Sequence, residues 1–96
     1  MRRKEIKMGR VEVEYEILYH FGIVGEVNPQ TGWGKEFNLI SWNGNPPKFE
    51  VRAWSPERDR CAKITGLTEE ELDQLYEMIP AAKEKVAEMK EGGNLK

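Results

Sequence analysis

The sequence has very few of the residues on which most metal sites and nucleophilic catalysts depend. Among its 96 residues there is one cysteine, Cys61, and one histidine, His20. A single cysteine excludes an internal disulfide, and one cysteine with one histidine excludes a Cys/His metal cluster. We therefore expect Cys61 to be structural, His20 to be a strand residue without chemistry, and the protein to need no metal or cofactor.

Further absences narrow the class of protein. There is no apolar run of about 18 residues and no leader in which a charged segment precedes an apolar one. We therefore expect a soluble cytoplasmic protein, and association with the bacterial nucleoid is compatible with this expectation. The glycines at positions 22, 25, 32 and 34 match neither of the common phosphate-loop spacings. No Ser/His/Asp order or reactive-cysteine context is present, and the many carboxylates lie on a strand edge and a helix surface. We expect a protein that is not an enzyme.

The net charge of −2 is distributed unevenly along the chain. Residues 1–10 carry a net +4 and residues 33–63 a net +2, whereas residues 11–32 and 64–96 carry −4 each. Salt confines the influence of an exposed charge to about 8–10 Å, so the local sign matters more than the sum. We expect residues 1–10 to be a basic N-terminal arm, either a solvated tail or a mobile arm that contacts phosphates, and residues 92–96 to be a C-terminal tail.

Alternating apolar residues predict four strands before one helix, within a single domain over residues 11–91. The predicted strands cover residues 11–27, 33–42, 48–54 and 61–67. The Asn/Gly/Pro segment between the second and third strands is typical of a hairpin loop. The expected fold class is α+β, with a four-stranded antiparallel curved sheet in the order β-β-β-β-α.

The helix is predicted to begin at a capping box, in which the Thr68 hydroxyl caps a backbone N–H and the Glu71 side chain reaches back. Pro80 lacks a backbone donor and clashes with the preceding turn, so we expect the helix to kink or split there. Gly92 and Gly93 are expected to end it. An apolar stripe at helical spacing is expected to be core or dimer contact: Leu72, Leu75, Tyr76 and Ile79.

The hairpin over residues 33–54 presents two different faces if Trp42 pairs with Lys48. One face shows ordinary core residues: Phe37, Leu39, Phe49, Val51 and Ala53. The other shows two indoles among cations and an amide, with Ile40 among them: Asn38, Trp42, Lys48, Arg52 and Trp54. Because the opposite face is already apolar, this pattern is typical of a surface that stacks bases and neutralises phosphates.

Trp42 and Trp54 each end a strand, so antiparallel pairing places them at opposite ends of one face. With a rise of about 3.3 Å per residue, the two rings are expected to lie roughly 20 Å apart, with room for several nucleotides. Lys48 and Arg52 lie between them as partners for phosphates or base edges, and Lys63 on the fourth strand is a further cation. The competing interpretation is that a dimer partner or the N-terminal strand buries both indoles.

Two motifs in this hairpin resemble one known family. They are Trp33-x-Lys35-Glu36-Phe37-Asn38-x-Ile40-Ser41-Trp42-Asn43 and Pro47-Lys48-Phe49-Glu50-Val51-Arg52-x-Trp54-Ser55-Pro56. Together with the strand order and the Leu-Thr-Glu-Glu-Glu start of the helix, they make residues 11–80 similar to the YdbC-like bacterial branch of the transcriptional coactivator family called positive cofactor four.

The resemblance implies a homodimer, with helices at the dimer interface, whose curved sheets bind single-stranded DNA with little sequence preference. It implies base stacking or strand contacts for four residues: Trp42, Trp54, Lys48 and Arg52. Trp33 and Lys35 also match the bacterial motif, although alternation places both on the core-side face unless a bulge lies near Gly34.

Two hypotheses about function follow. The leading one is a homodimer that binds single-stranded DNA or RNA and acts in transcription, replication, repair or recombination. The alternative is a protein-interaction module, in which the aromatic sheet face docks a partner chain and the acidic helix sets specificity. The salt dependence of binding distinguishes the two hypotheses. Affinity for a single strand falls as salt rises, with a slope of log K against log salt of about −0.7 per phosphate neutralised. A reader of duplex DNA is disfavoured, since there is no basic helix for the major groove.

Overall fold

A computed structural model describes residues 4–8 and 11–93 of the chain. The strands are β1 (Lys4–Met8), β2 (Val11–Val24), β3 (Gly34–Trp42) and β4 (Lys48–Trp54), and the helix is α1 (Glu69–Glu91). All strand pairs are antiparallel and follow the order β1-β2-β3-β4, so β1 and β4 are the edges of the sheet. The predicted α+β class, with four antiparallel strands before a single helix, is confirmed.

The first strand comes from the segment expected to be a basic arm. Within β1, Ile6 pairs with Val13 of β2 and its side chain is buried. The pairing in this hairpin also places one lysine of β1 opposite a glutamate of β2, since Lys7 pairs with Glu12. Arg2, Arg3 and Arg10 of the predicted arm, and residues 94–96 of the predicted tail, lie outside the described residues.

The predicted fourth strand over residues 61–67 is wrong, because this segment passes around the edge of β4 instead of pairing along it. It forms only an isolated bridge between Cys61 and Trp54. Cys61 packs on one side of the sheet, whereas Leu67 packs on the other side against the helix. A regular strand stays in the plane of its sheet, so a segment that crosses from one side to the other cannot be one.

The β3–β4 hairpin is confirmed, with a register that differs from the predicted one by two residues. Lys48 pairs with Ile40 rather than with Trp42, and Trp54 pairs with Gly34 rather than with Glu36. Side chains alternate with a period of two, so a shift of two leaves each residue on its predicted face.

β2 is longer than its partners and contains two irregularities in its pairing with β3. The register shifts between Ile17 and Tyr19 and again between His20 and Gly22. Gly22 has a positive φ of 153°, which a glycine adopts without strain. The bend or bulge expected near Gly22 is confirmed, whereas the strand ends at Val24 instead of reaching residue 27.

The sheet has a hydrophobic cluster on each of its two sides. The tryptophan side is the one that carries Ile6, Tyr15, Ile40 and Trp54, with Val13, Ile17, Trp42 and Cys61 packed against them. The helix side is the one that carries Val24 and Phe37 against Ala82 of α1, with Phe21, Val51, Leu67, Leu75 and Met78 around them. Both sides therefore contribute to the core.

α1 begins at the predicted capping box and ends at the predicted glycine. The Glu71 N–H donates to the Thr68 hydroxyl at 3.2 Å, the Thr68 N–H donates to the Glu71 carboxylate at 2.8 Å, and Gly92 is the C-cap. The expected split at Pro80 is wrong, because α1 is one helix with Pro80 inside it. Pro80 lies on the exposed surface of the helix.

The predicted apolar stripe of α1 is mostly solvent-exposed. The residues that pack against the sheet are Leu75, Met78 and Ala82. By contrast, Leu72 is 55% and Tyr76 74% exposed. Only Leu75 of the stripe is therefore confirmed as a core contact, and the expected role of its other residues as a dimer contact stays a prediction.

Candidate functional site

The two tryptophans of the central hairpin lie in contact on the tryptophan side. Their ring centroids are 6.0 Å apart and their planes differ by only 6°. The predicted separation of roughly 20 Å is wrong, because it assumed a flat hairpin. Rings from opposite ends of a hairpin can meet only if the sheet curls toward their side, and bulges such as those in β2 bend and twist a strand.

Trp54 is a core residue. Only 1% of its surface is accessible, and its ring centroid lies 5.0 Å from that of Tyr15. Ile6 and Ile40 complete the cluster around it. Its indole N–H is buried and has no hydrogen-bond partner among the described residues. The prediction that Trp54 belongs to a base-stacking surface is therefore wrong. The competing interpretation, burial by the N-terminal part of the sheet, is confirmed for this residue, because β1 and β2 contribute the side chains that bury it.

A loop over residues 55–60, the covering loop, follows β4 and covers Trp54. The Tyr15 hydroxyl donates a hydrogen bond to the carbonyl oxygen of Arg58 at 2.9 Å, and burial raises the pKa of Tyr15. The loop is closed by a hydrogen bond from the Ser55 N–H to the Arg60 carbonyl at 3.0 Å. The Ser55 hydroxyl also donates to Asp59 at 2.7 Å. This loop and Tyr15 separate Trp54 from solvent.

Trp42 is half-buried and leaves part of its ring accessible. Its indole N–H donates to Glu50 Oε2 at 3.0 Å. The guanidinium carbon of Arg52 lies 5.1 Å from the centroid of the Trp42 ring, within the range of a cation–π interaction. The structure therefore places an arginine over the face of a tryptophan that is itself stacked on Trp54.

Glu50 and the carbonyl of Ala62 fix the guanidinium of Arg52. Arg52 donates to the two oxygens of Glu50 through Nε and Nη2, each at 2.8 Å, and to the Ala62 carbonyl through Nη1 at 2.6 Å. The hydrogen bond to Glu50 raises the pKa of Arg52. Sequence reasoning missed Glu50 as a site residue, although alternation places it on the same face as Trp42 and Arg52.

Two predicted cations, Lys48 and Lys63, are exposed near this arrangement. Lys48 begins β4 on the tryptophan side, opposite Ile40. Lys63 follows directly after Ala62, whose carbonyl holds Arg52. Neither lysine forms an ion pair with any described residue. The structure thus brings three of the predicted site residues to one side of the sheet, namely Trp42, Lys48 and Arg52, and Lys63 lies next in the chain to Ala62, which binds Arg52.

Asn38 lies at the centre of a buried polar network. It is 1% exposed, its amide donates to Glu36 at 3.1 Å, and its Oδ1 lies 2.7 Å from Nδ1 of His20. Glu36 also accepts from Nε of Arg58 at 2.9 Å. The network fixes the covering loop to β3 through Arg58. It also removes Asn38 from the predicted binding surface.

Trp33 and Lys35 lie apart from the other predicted residues, on the helix side. Lys35 donates to Glu71 of α1 at 2.7 Å, and this bond is the main reason why the pKa of Glu71 is lowered. Both residues line a cavity of about 390 Å³ beside the loop that precedes β3. No register shift occurs at Gly34, so the bulge that would turn them toward the tryptophan side is not present.

An apolar groove runs between the sheet and α1 on the helix side. It has a volume of about 450 Å³ and is lined chiefly by Phe37, Phe49, Val51, Leu75, Ile79 and Ala82. Phe49 is 49% exposed at its edge. The groove continues into the exposed stripe of α1, so a contiguous apolar surface lies on the side of the sheet opposite to Trp42.

The described residues contain neither a group of His, Cys, Asp and Glu side chains arranged to hold a metal ion nor a helix long and apolar enough to cross a membrane. Comparison with known proteins finds no family model that matches the chain. The chain is 34% identical over 79 residues to a protein of Treponema pallidum (strain Nichols) described as an "Uncharacterized protein". The match covers 82% of this chain and 91% of the Treponema protein.

Proposed function

We propose that this chain, which belongs to the same protein family as the Treponema pallidum protein, binds single-stranded nucleic acid on the tryptophan side of its sheet. The observation that most directly supports the proposal is the half-exposed ring of Trp42 with the Arg52 guanidinium over it. In this activity the protein is similar to the YdbC-like branch of the positive cofactor four family. It acts as an accessory protein in transcription, replication or repair.

Trp42 is the proposed stacking residue, through the part of its ring that Arg52 and Trp54 leave accessible, and Trp54 is its support. A base stacked on an aromatic side chain contributes about 1–3 kcal/mol, and every base offers a π-face, so such a contact tolerates any sequence. Trp54 is too deeply buried to touch a base. Its ring lies parallel to that of Trp42, so it restrains the orientation of the exposed indole.

The cations on this side supply the proposed backbone contacts. Lys48 and Lys63 are exposed and have no ion-pair partner among the described residues, so each can meet a phosphate without breaking another contact. Arg52 adds a guanidinium that can recognise phosphate oxygens in pairs. The acidic helix lies on the other side of the sheet, which keeps most of the negative charge away from this path.

A binding titration tests the proposal. Anisotropy of labelled oligo-dT should rise on addition of the protein at low salt, and the affinity should fall as salt is added, with a slope of about −0.7 per phosphate contact. Trp42→Ala should weaken binding by about 1–3 kcal/mol. Trp33→Ala is the matched control, because Trp33 lies on the helix side, and it should leave the affinity unchanged. Absence of any binding at low salt would refute the proposal.

We further propose that the protein is a homodimer formed through the apolar groove and the exposed stripe of α1. Tyr76 is 74% exposed, and Ile79, which lines the groove, is 39% exposed, a large apolar area for the surface of one helix. Tyr76→Asp should leave the monomer folded and shift sedimentation to the monomer. Ala81→Asp, which adds the same charge on a different face of α1, should not. Sedimentation of the unmodified protein as a monomer at all concentrations would exclude this dimer.

The second candidate function is the docking of a partner protein. The observation that favours it is the aromatic row on the helix side, in which Tyr19, Phe21, Phe37 and Phe49 contact one another and reach the surface at both ends. In that case binding to oligo-dT and to matched RNA would be absent, and a partner recovered after nuclease treatment would be lost in a Phe49→Ala variant.

A further inference from the structure

Glu50 makes three hydrogen bonds in the middle of the proposed binding surface. Its two oxygens accept from Nε and Nη2 of Arg52 at 2.8 Å each, and Oε2 also accepts from the indole N–H of Trp42 at 3.0 Å. Both residues to which it binds are the ones proposed to contact the nucleic acid. The carboxylate of Glu50 therefore accepts hydrogen bonds from Trp42 and from Arg52 at the same time.

The contact between Glu50 and Arg52 has the geometry with which arginine also binds a phosphate. A carboxylate and a phosphodiester each present two oxygens to the fork of guanidinium N–H groups, and arginine binds both in the same two-bonded fashion. Nη1 of Arg52 is held by the Ala62 carbonyl at 2.6 Å, so the guanidinium stays in place while its anionic partner changes. Glu50 is 20% exposed at its side chain, which gives it a path into solvent.

We propose that Glu50 is an internal competitor for the phosphate backbone, which must leave Arg52 before a strand can bind with full strength. The inference rests on the proposed function. In the free protein the Glu50 carboxylate neutralises Arg52 and holds the Trp42 indole N–H. In the complex a phosphate replaces the carboxylate at Arg52, and Glu50 turns toward water. Glu50 thereby limits affinity and favours exchange of the protein along a strand.

Three neighbouring features set the strength of this competition. The ion pair is half-buried, with 17% of the Arg52 side chain exposed, so it is screened less by salt than a surface pair. Removal of the carboxylate leaves a fixed cation, since the Ala62 carbonyl still orients the guanidinium. The free Lys48 and Lys63 do not depend on Glu50, so they provide binding in the unmodified protein.

The test compares Glu50→Gln with the unmodified protein by oligo-dT anisotropy at several salt concentrations. Glutamine is about the size of glutamate and retains one acceptor oxygen, but it carries no charge. We expect a tighter complex by about tenfold, the equivalent of about 1.4 kcal/mol, and a salt slope steeper by about 0.7 because one more phosphate is neutralised. Glu57→Gln is the control, since Glu57 is an exposed residue of the covering loop and its loss changes the net charge equally.

A double variant separates competition at Arg52 from a general effect of charge. In the background of Arg52→Ala, the Glu50→Gln change should give no tighter binding than Glu57→Gln does. A gain that persists without Arg52, or a Glu50→Gln protein that binds no more tightly than the unmodified one, would overturn the inference while leaving the proposed function intact. No binding by the unmodified protein or by Glu50→Gln at low salt would overturn both.

A measurement on the unmodified protein does not depend on the folding of any variant. The indole N–H signal of Trp42 in a ¹⁵N-labelled sample reports its hydrogen bond to Glu50. Saturating oligo-dT should shift this signal and speed its exchange with water, because Glu50 has left. An unchanged, protected indole N–H in the complex would show that Glu50 stays in place, which contradicts the inference.

Discussion

Replacing Trp54 with alanine tests whether this residue belongs to the core or to a binding surface. An exposed stacking residue can be truncated with little effect on folding, since surface substitutions usually change stability by less than about 0.5 kcal/mol. Trp54 is 1% exposed and contacts Tyr15, Trp42 and Ile40. Truncation therefore removes a large apolar group from the tryptophan side and leaves a cavity beneath the covering loop.

The expected loss can be worked out from the buried area. A tryptophan buries about 150–250 Å², which at about 25 cal/mol per Å² corresponds to about 4–6 kcal/mol. The indole N–H has no partner among the described residues, so no hydrogen bond is lost with it. Truncations of this kind cost about 3–5 kcal/mol in measured series, and we expect that range here. A domain of this size has a total stability on the order of 5–14 kcal/mol.

Urea unfolding followed by circular dichroism measures the effect. The midpoint should fall steeply for Trp54→Ala, with the slope unchanged if the transition stays two-state. Protein concentration must be held constant, because dimerisation would make stability depend on it. Trp42→Ala is the matched control and should cost less, since Trp42 is only half-buried. A loss below about 1 kcal/mol for Trp54→Ala would show that Trp54 is not a core residue.

Three other substitutions test α1 and its attachment to the sheet. Thr68→Ala removes the capping hydroxyl and should lower the free energy of unfolding by about 1 kcal/mol, measured in urea; an unchanged midpoint would contradict the cap. Pro80→Ala should raise the free energy of unfolding by about 1–3 kcal/mol, because alanine restores a backbone donor inside the helix. A thermal midpoint lower than that of the unmodified protein would contradict this. The hydrogen bond from Lys35 lowers the pKa of Glu71. The stability that this bond contributes is therefore present above the ordinary glutamate pKa and is lost as the pH falls through the lowered pKa of Glu71. Lys35→Met should therefore be less stable than the unmodified protein at neutral pH, and the difference should shrink in acid; a gap that does not narrow would exclude the linkage.

The features that the sequence predicted well are those set by near neighbours in the chain. The β3–β4 hairpin follows from alternation and from its Asn/Gly/Pro loop, and the helix start follows from the spacing of Thr68 and Glu71. The assignment of Trp42 and Arg52 to one side is equally local, because side chains alternate along any strand. It therefore holds despite the two-residue shift in register.

The features that it predicted poorly depend on the path of the chain in three dimensions. The spacing of Trp42 and Trp54 depends on how strongly the sheet curls, which alternation does not reveal. The burial of Trp54 depends on Ile6 and Tyr15, which lie far from it in sequence. The segment over residues 61–67 has a strand-like composition, but it must connect the two sides of the sheet, and that requirement overrides its local preference.

β1 gives the sheet an edge whose outer backbone groups pair with no described strand. Such an edge is a template onto which another extended chain can add, and it is the usual starting point of aggregation in sheet proteins. Lys4 and Lys7 are exposed along this strand, and lysines at an edge repel the approach of a second copy. The basic character of the N-terminal segment thus has a protective value that is separate from any binding of nucleic acid, and loss of these charges would make the protein prone to form fibrils.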